Sequence, residues 1–305
     1  MSEFVRKAYA GVDDLARIQA FNAAAVAAAG VCGYMHTGDI PHRIYNANRW
    51  YNPGDICAYW QDASGNLGAW ALLFPRFGDY NAELHPELRG GDLETAVLDW
   101  CETAVLALLP PEKKRVVTTE LFDCDHARRK LLLQRGYALI ADSADFIYTT
   151  RLLDDIPTST LPDGFTIRSA CGLADVAQLV EVHSKSFGSS WTIPLYERVM
   201  ASPGYDAERE LVAVAPDGRF AAFTIIWFDP VNRVGLFEPV GTHEAFRRLG
   251  LARALMVAGM HQMRAAGMHT ATVSHESDNP ASTALYAHLG FRPQHWIAFY
   301  KREVA

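Results

Sequence analysis

Cysteine is scarce in this sequence, and no two cysteines stand at the spacing of a metal-binding motif. Five are present in 305 residues, an odd number, and none belongs to a C-x-x-C pair. We therefore expect neither a zinc site nor a disulfide framework. A lone cysteine among apolar residues is most often a small core residue, and we interpret in this way Cys32, Cys57, Cys101, Cys124 and Cys171.

Basic residues are in the minority, and long apolar runs are missing. The chain has 28 lysines and arginines against 35 aspartates and glutamates, which gives a net charge of −7. This balance argues against a general nucleic-acid binder. The opening residues MSEFVRKAYAG contain no apolar signal region, and no apolar run is long enough to cross a bilayer. We expect a cytoplasmic protein, monomer or homodimer, with no nucleic-acid or membrane partner.

Signatures of several other enzyme classes are absent. The sequence has no G-x-S-x-G elbow, no H-E-x-x-H zinc motif, no G-x-x-x-x-G-K-[ST] phosphate loop and no G-x-G-x-x-G dinucleotide motif. A hydrolase or nucleotide-binding enzyme of these types therefore has little support. We also expect no metal.

What the sequence does contain is an internal repeat. The segment FVRKAYAGVDDLARI, from Phe4, aligns without a gap with FTIRSACGLADVAQL, from Phe165. Three further landmarks recur in the same order: a glycine hairpin before an apolar strand, a loop before a helix, and a helix that ends in glycine. They lie at 62–74 and 215–227, at 84–97 and 242–255, and at 131–137 and 285–291. Tandem copies of one fold account for this order.

Each copy has the pattern strand, helix, hairpin strands, strand, helix, strand, helix and strand. This pattern predicts an α/β (α+β) fold with a mixed, mostly antiparallel sheet flanked by helices, rather than a doubly wound sheet. The polar, proline-containing stretch at 154–164 suits a linker. We predict two domains, 1–153 and 165–305. The stretch from Ser186 to Met200 should contain a loop and a short helix.

A strand-to-helix junction in the second half has the features of an anion site. Backbone N–H groups at a helix N-terminus lack partners, and the helix dipole is positive there. Small residues let a diphosphate approach the backbone, and arginines add cationic donors. The junction follows an apolar stretch at 234–240 and consists of Arg247, Arg248, Leu249, Gly250, Leu251 and Ala252. The simpler interpretation is a turn with solvated arginines.

A second helix motif lies downstream, in the segment SDNPASTALYAHLGF. Asn279 can cap the helix, Pro280 fits its first position and Gly290 fits its end. The spacing places Tyr286 one residue off the apolar face, beside Ser282. We predict that this buried face is made of Ala281, Leu285 and Leu289.

Together the two motifs resemble the GNAT N-acetyltransferase superfamily. The pattern Arg-x-x-Gly-x-Ala after a strand is similar to the loop with which that family binds the acyl-CoA diphosphate. The capped helix with Leu-Tyr-x-x-x-Gly-Phe is similar to the family's later helix, whose tyrosine lies near the thioester sulfur. The resemblance covers roughly Phe165 to Arg302, and the repeat resembles two-copy members of the superfamily.

The resemblance implies a reaction and a donor. Acetyl-CoA would be the acyl donor, and a small-molecule primary amine would attack its thioester carbonyl directly. Acyl-CoA contacts would come from the strand end, the junction and the second helix, at Val240, Gly241, Thr242, Arg247, Arg248, Leu249, Gly250, Leu251, Ala252, Arg253, Asn279 and Ser282.

The same resemblance suggests an acid and a base. Tyr286 is the candidate acid for the departing thiolate, because a phenol donates a proton without being permanently ionised; its alternative role is packing at a sheet edge. Glu238 is the candidate base. A carboxylate is costly to bury without a partner, so an acid within the apolar stretch Leu-Phe-Glu-Pro-Val is unusual. Alternatively, Glu238 is an edge residue that faces water. Pro239 can help to separate this strand from its neighbour. Reserve bases are His275 and Glu276, which can equally be solvated loop residues.

Trp191 and Tyr196 are less specific candidates, in the loop and short helix after the first helix of the second copy. Either can contact a substrate. Local packing is the interpretation we favour for both.

The first half differs at the motif positions. Asp92 and Glu94 stand where the second half has Gly250 and Ala252, and Leu132 stands in place of Tyr286. Asp125 matches Asn279, and a one-residue shift would instead bring Gly90 and Gly91 into the loop. Carboxylates repel a diphosphate, so we expect this half to lack acyl-CoA binding and catalysis. Its segment 34–55, rich in aromatic residues, can supply a wall of the substrate cleft.

A second hypothesis for the whole protein is a non-catalytic CoA-binding or sensor protein.

Overall fold

The computed structural model describes residues 4–47, 50–141 and 143–304. Asn48 and Arg49, within the expected cleft segment, lie outside the described residues. The described part of the first half contains seven strands: β1 (Val5–Ala8), β2 (Cys57–Gln61), β3 (Leu67–Phe74), β4 (Asp79–Leu84), β5 (Val116–Phe122), β6 (Ala138–Leu139) and β7 (Phe146–Leu152). Its helices are α1 (Val12–Ala29), α2 (Asp39–His42), α3 (Pro53–Ile56), α4 (Asp92–Leu108) and α5 (His126–Gln134).

The second half follows the same order, except that α7 stands where the first half has α2 and α3 and that the described residues include no counterpart of β6. Its strands are β8 (Thr166–Ser169), β9 (Glu210–Val214), β10 (Phe220–Asp229), β11 (Val234–Thr242), β12 (Thr270–Glu276) and β13 (Arg292–Glu303). Its helices are α6 (Val176–Phe187), α7 (Ile193–Met200), α8 (Leu251–Ala265) and α9 (Pro280–His288). The short helix expected between Ser186 and Met200 is therefore confirmed as α7.

All the strands belong to one mixed sheet that runs through both halves. Its order is β1-β2-β3-β4-β5-β13-β7-β12-β11-β10-β9-β8, with β6 attached to β13. Two neighbouring pairs are parallel, β4 with β5 and β11 with β12, and the others are antiparallel. The predicted mixed, mostly antiparallel sheet is confirmed.

The last strand of each half is exchanged with the other half. Strand β7, which ends the first half, pairs along its length with β12 of the second half. Strand β13, which ends the chain, pairs with β5 of the first half from Ile297 to Glu303, and with β7 before that. Each half of the sheet is therefore completed by the other half's final strand, and the two-domain division at 154–164 remains a prediction about the sequence.

Separate apolar cores lie on the two halves of the sheet. In the first half, α1 and α4 pack on β3 around Trp70 and Leu98, both fully buried. In the second half, α8 packs on β10 and β11 through Leu255 and Met260, also fully buried. Because every buried side chain on these helices removes apolar surface from water, each core holds its helices at a fixed position on the sheet. The ends of the strands on which these helices pack are therefore held in place as well.

The predicted apolar face of α9 is wrong in part. Leu289 is buried as expected, but Ala281 is exposed and Leu285 is only half-buried. Tyr286 is buried instead, packed on Phe291 at a ring-centroid distance of 6.0 Å. The buried residue of this nine-residue helix is Tyr286, in its second turn, while Ala281 in the first turn is exposed.

The expectation of no disulfide is also wrong. Cys32 and Cys124, 92 residues apart, form a disulfide that joins the loop after α1 to the end of β5. A pair so distant in the chain has no spacing signal, because only the fold brings the two cysteines together. Cys57 and Cys101 are buried as expected, whereas Cys171 is exposed. No helix of the described residues is long and apolar enough to span a membrane.

Candidate active site

A cleft opens in the second half where β11 and β12 separate. The two strands pair in parallel only from Val234 to Leu236, opposite Thr270 to Thr272. Strand β11 then continues to Thr242 along β10, with no further pairing to β12. Pro239, which cannot donate a hydrogen bond, lies in this unpaired part. The edge of β11 that holds Val240, Gly241 and Thr242 therefore faces the opening.

A β-bulge places Glu238 at the start of the opening. Thr224 pairs with Val240 and Ile226 pairs with Phe237, so two steps along β10 correspond to three steps along β11. In the first half the matching pairs, Ala71 with Ala82 and Leu73 with Tyr80, are evenly spaced. A bulge redirects side chains locally and is common beside active sites. The second half thus has one extra residue at the position of its carboxylate.

The strand-to-helix junction has the backbone geometry expected of an anion site. Helix α8 begins directly after Gly250, and no side chain caps its first N–H groups. Gly250 and Arg248 both adopt positive φ angles, 77° and 68°, and the space that a side chain at Gly250 would occupy is open. The uncapped N–H groups and the positive end of the helix dipole lie together at the N-terminus of α8, so this end of the helix attracts an anion.

The arginines near the junction are only partly directed at it. Arg247 donates from Nη2 to the carbonyl of Ser186 at 3.0 Å, and Arg253 donates from Nη2 to the carbonyl of Thr158 at 2.9 Å. The first contact joins the junction to the last turn of α6, and the second joins α8 to the segment before β8. Leu249 is exposed, while Leu251 is buried in the core.

Tyr286 lies in the cleft at the second turn of α9. Asn279 caps that helix by accepting a hydrogen bond from the Ser282 N–H at 3.1 Å, as predicted. The Tyr286 ring is 5.2 Å from the His275 ring, centroid to centroid. Burial raises the pKa of Tyr286, the charge of Glu238 raises it further, and a hydrogen bond with the Ser282 side chain lowers it. The phenol is therefore held in its protonated form.

The pKa of the candidate base Glu238 is raised by its surroundings. Burial, followed by the charge of Asp39, raises the pKa of Glu238 to about 8, and Arg43 opposes this shift. Its Oε1 is 3.7 Å from Nε2 of His42. Burial lowers the pKa of His42, so that imidazole is neutral beside the carboxyl group.

Trp227 connects Glu238 to the first half. Its indole Nε1–H donates to the carbonyl of Glu238 at 2.7 Å. Gly38 lies against the same side chain so closely that a Cβ there would be 2.1 Å from the Trp227 Cβ. Nε2 of His36 lies 3.3 Å from the Val234 carbonyl. The segment that carries Asp39 and His42 is thus fixed directly on β11.

Two cavities meet at Glu238. The first follows the cleft and contains both candidate catalytic residues; its lining includes His42, Phe146, His183, Phe187, Ser189, Phe237, Glu238, Pro239, Val240, Val273, Ser274, His275, Glu276, Asn279, Ser282 and Tyr286. The second lies between the halves and shares Glu238 and Ser274 with the first; its polar lining includes His36, Asp39, Arg43, Asn81, Glu83, Glu120, Asp125 and Arg128. The junction residues 247–253 line neither cavity.

The remaining candidates fall into two groups. His275 is buried and lines the cleft, whereas Glu276 is exposed at its edge. Trp191 and Tyr196 are both buried and pack on each other at 5.2 Å, and Tyr196 donates to the carboxylate of Glu210. Their contacts are those of local packing.

Sequence reasoning missed three residues near the base. Asp39, His42 and Arg43 come from the first half, and only the composition of segment 34–55 pointed to that region. Arg43 donates to Asp39 at 2.8 Å and to Glu120 at 3.1 Å, which fixes it at the centre of the cavity between the halves. The signal was the concentration of polar and aromatic residues before Asp55.

Comparison with known proteins places this geometry in a family. Residues 176–291 match the acetyltransferase (GNAT) family. A protein named mycothiol acetyltransferase, from Nocardia farcinica, is 32% identical over 263 residues, which are 80% of this chain and 82% of that protein. The predicted resemblance to two-copy members of the superfamily, of which mycothiol synthase is one, agrees with this relative.

Solved structures show the same fold. A GCN5-related N-acetyltransferase from Sphaerobacter thermophilus aligns with a TM-score of 0.64 at 21% identity, covering 98% of this chain and 95% of that one. A tandem GNAT protein from the clavulanic acid biosynthesis pathway aligns with a TM-score of 0.66 at 14% identity, covering 99% and 98%. With a relative of this identity along most of its length, the chain belongs to the GNAT family and is an N-acetyltransferase.

Proposed function

We propose that this protein transfers an acetyl group from acetyl-CoA to a small-molecule primary amine, with Glu238 as base and Tyr286 as acid. The observation that carries the proposal is that both side chains line the cleft opened by the separation of β11 and β12. GNAT enzymes use acetyl-CoA as acyl donor. The alternative of a CoA sensor requires no such acid and base.

We expect the donor site to hold the pantetheine arm of acyl-CoA and the diphosphate to which this arm is attached. The free edge of β11 from Val240 to Thr242 offers peptide groups to the amides of the pantetheine arm. The N-terminus of α8 after Gly250 offers uncapped N–H groups to the diphosphate. Asn279 and Ser282 line the cleft, and the small side chain of Ala252 lies in the first turn of α8.

Glu238 supports removal of a proton from the attacking amine. A primary amine has a pKa of about 10, so near neutral pH most of it is protonated and not nucleophilic. A base is most effective when its pKa is close to the working pH, and the pKa of Glu238 is about 8. Direct contact or one bridging water can carry the proton to the carboxylate.

Tyr286 supports departure of the thiolate. As the amine bonds to the carbonyl carbon, the carbon–sulfur bond breaks and the sulfur takes up negative charge. The phenol, kept protonated by burial, can give its proton to that sulfur. The products are the acetylated amine and free CoA.

The acceptor is proposed to enter from the cavity between the halves. Even without Glu83 and Glu238, whose pKa values are raised, carboxylates outnumber arginines along its polar lining, which favours a positively charged amine. Glu83 is buried there, and its Oε2 has no hydrogen-bond partner among the described side chains and backbone. Burial raises the pKa of Glu83 to about 8, so this carboxyl group can donate a hydrogen bond to a ligand.

An acceptor screen tests the proposal. The purified protein is mixed with acetyl-CoA and a panel of amines, and release of free thiol is followed together with the mass of the product. The unacetylated form of mycothiol is the first acceptor to assay, because the relative from Nocardia farcinica is named for mycothiol. We expect acetylation of at least one small amine. Tight CoA binding with no acetyl transfer to any amine would favour the sensor alternative.

A further inference from the structure

The first half has the same cleft as the second, but its own side chains fill it. Strands β4 and β5 pair in parallel only at Asp79 and Tyr80 and then separate. Arg128 and Glu94 occupy the opening, with 8% and 1% of their surfaces exposed. The Nε–H of Arg128 donates to the Glu94 carboxylate, and its Nη1 donates to the Ala82 carbonyl at 3.1 Å.

Strand pairing identifies the counterpart of Ala82 in the second half. Ala82 pairs with Ala71 as Val240 pairs with Thr224, so Ala82 is the counterpart of Val240. Arg128 therefore donates to the backbone carbonyl whose counterpart faces the proposed pantetheine site.

Helix capping identifies the counterpart of Arg128 in the second half, and a matching turn identifies the counterpart of Glu94. Asp125 caps α5 through the Arg128 N–H as Asn279 caps α9 through the Ser282 N–H, which makes Arg128 the counterpart of Ser282. His85 and His243 each accept from the N–H two residues on, at the start of matching short turns. This match makes Glu94 the counterpart of Ala252.

The Glu94 carboxylate takes the place of an external anion. Besides Arg128, it accepts a hydrogen bond from the Gly90 N–H, in the loop just before α4. An acid at the N-terminus of a helix compensates its dipole, as a bound diphosphate would. An arginine and a glutamate buried together are costly to separate, because each is left charged without a partner. An incoming acyl-CoA would have to break this pair to enter.

We propose that Glu94 and Arg128 are an internal occupant of the first-half cleft, which excludes acyl-CoA there and leaves one acyl-CoA site per chain. The inference rests on the proposed function, because the second-half site supplies the comparison. It goes beyond the repulsion expected from Asp92 and Glu94. Asp92 is exposed, and the Glu94 charge is compensated within the protein.

Binding stoichiometry tests this inference. Calorimetry and native mass spectrometry of the full chain with CoA should give one CoA per wild-type protein. The double variant E94A/R128S, which introduces the side chains of Ala252 and Ser282, should bind a second CoA. The control E102A/R135S removes another carboxylate–arginine pair between α4 and the end of α5, outside the cleft. This control should still bind one CoA.

Two results would overturn the inference. One is two CoA molecules on the wild-type protein. The other is a single CoA on E94A/R128S when that variant melts no lower than the control. No binding at all by the wild type would instead contradict the proposed function, which keeps the two failures distinguishable.

Hydrogen exchange covers the case in which the double variant does not fold. On the wild-type protein, CoA should slow exchange in peptides spanning 240–256. It should leave exchange unchanged in peptides spanning 82–98. Protection of both regions would contradict an internally occupied first-half cleft.

Discussion

The two halves open the sheet at the same place and differ in what occupies the opening. Both have a parallel strand pair that separates after two or three residues, a histidine-capped turn, and a later helix of nine residues capped by Asp125 or Asn279. In the first half a charged pair fills the gap. In the second, small side chains leave it open, and a β-bulge adds Glu238.

This difference shows which level of structure decides whether the cleft can bind a ligand. The backbone route is shared, so strand separation alone does not create a binding site. Side-chain volume at positions 94 and 128, against 252 and 282, determines whether space remains. Charge then determines whether the helix N-terminus is already compensated. A single inserted residue on β11 adds a carboxylate that the first half lacks.

The largest effect is expected from making the second-half junction resemble the first. Gly250→Asp places a carboxylate at the N-terminus of α8, as at Asp92, and its repulsion of a diphosphate should weaken CoA binding by more than about 100-fold. Calorimetry with CoA measures this. The reciprocal change Asp92→Gly should leave CoA affinity unchanged. Equal affinities for wild type and Gly250→Asp would contradict the anion site.

Removing the extra carboxylate on the bulge is expected to lower turnover next most strongly. Glu238→Gln should reduce kcat by roughly 100- to 1,000-fold, with CoA affinity retained. Because the base works only when deprotonated and its pKa is about 8, wild-type kcat should rise between pH 6 and 8, and the part of that rise due to Glu238 should vanish in Glu238→Gln. The exposed Glu276 is the matched control, and Glu276→Gln should change kcat less than twofold. A larger loss in the control would move the base role to Glu276.

A smaller loss is expected at the position where the first half has Leu132. Tyr286→Phe keeps the ring and its packing on Phe291 but removes the proton donor, so kcat should fall about 10- to 100-fold. The dissociation constant of CoA should not change. Tyr300→Phe, at a buried tyrosine on β13, serves as the control. Unchanged turnover in Tyr286→Phe would remove this residue from the mechanism.

The smallest expected effect tests whether the first half positions the second half's base. A methyl group at Gly38 would collide with Trp227, which also hydrogen-bonds the Glu238 backbone. Gly38→Ala should lower kcat/KM for the acceptor by about 10-fold and leave CoA affinity intact. Gly91→Ala, at an exposed position with a negative φ, is the control. Equal kcat/KM values for the two variants would show that this contact is dispensable.

Local features of the fold could be read from the sequence. The repeat predicted the order of elements, and the Asn279 cap with Pro280 after it predicted the start of α9. These features depend on residues within a few positions of one another, so spacing reveals them. The anion-site geometry at Gly250 follows from the same kind of short-range pattern.

Features that depend on distant residues could not be read in this way. The disulfide joins Cys32 to a residue 92 positions away, and the exchange of β7 and β13 depends on pairing across the whole chain. The sequence shows Glu94 as an acid at the position where the second half has Ala252. It does not reveal that Arg128, on another helix, is the partner of Glu94. The bulge at Glu238 was hidden because none of the repeated segments includes residues 228–241, and the additional residue shows only in the strand pairing.

Because the final strands are exchanged, the sheet of the first half can be completed only late in synthesis. The first half is translated early, yet its sheet lacks the strand beside β5 until residues 292–303 have left the ribosome. Until then β5 has an open edge, the kind of edge that pairs with other chains. The sheet of the first half is therefore completed only after β13 has been synthesised.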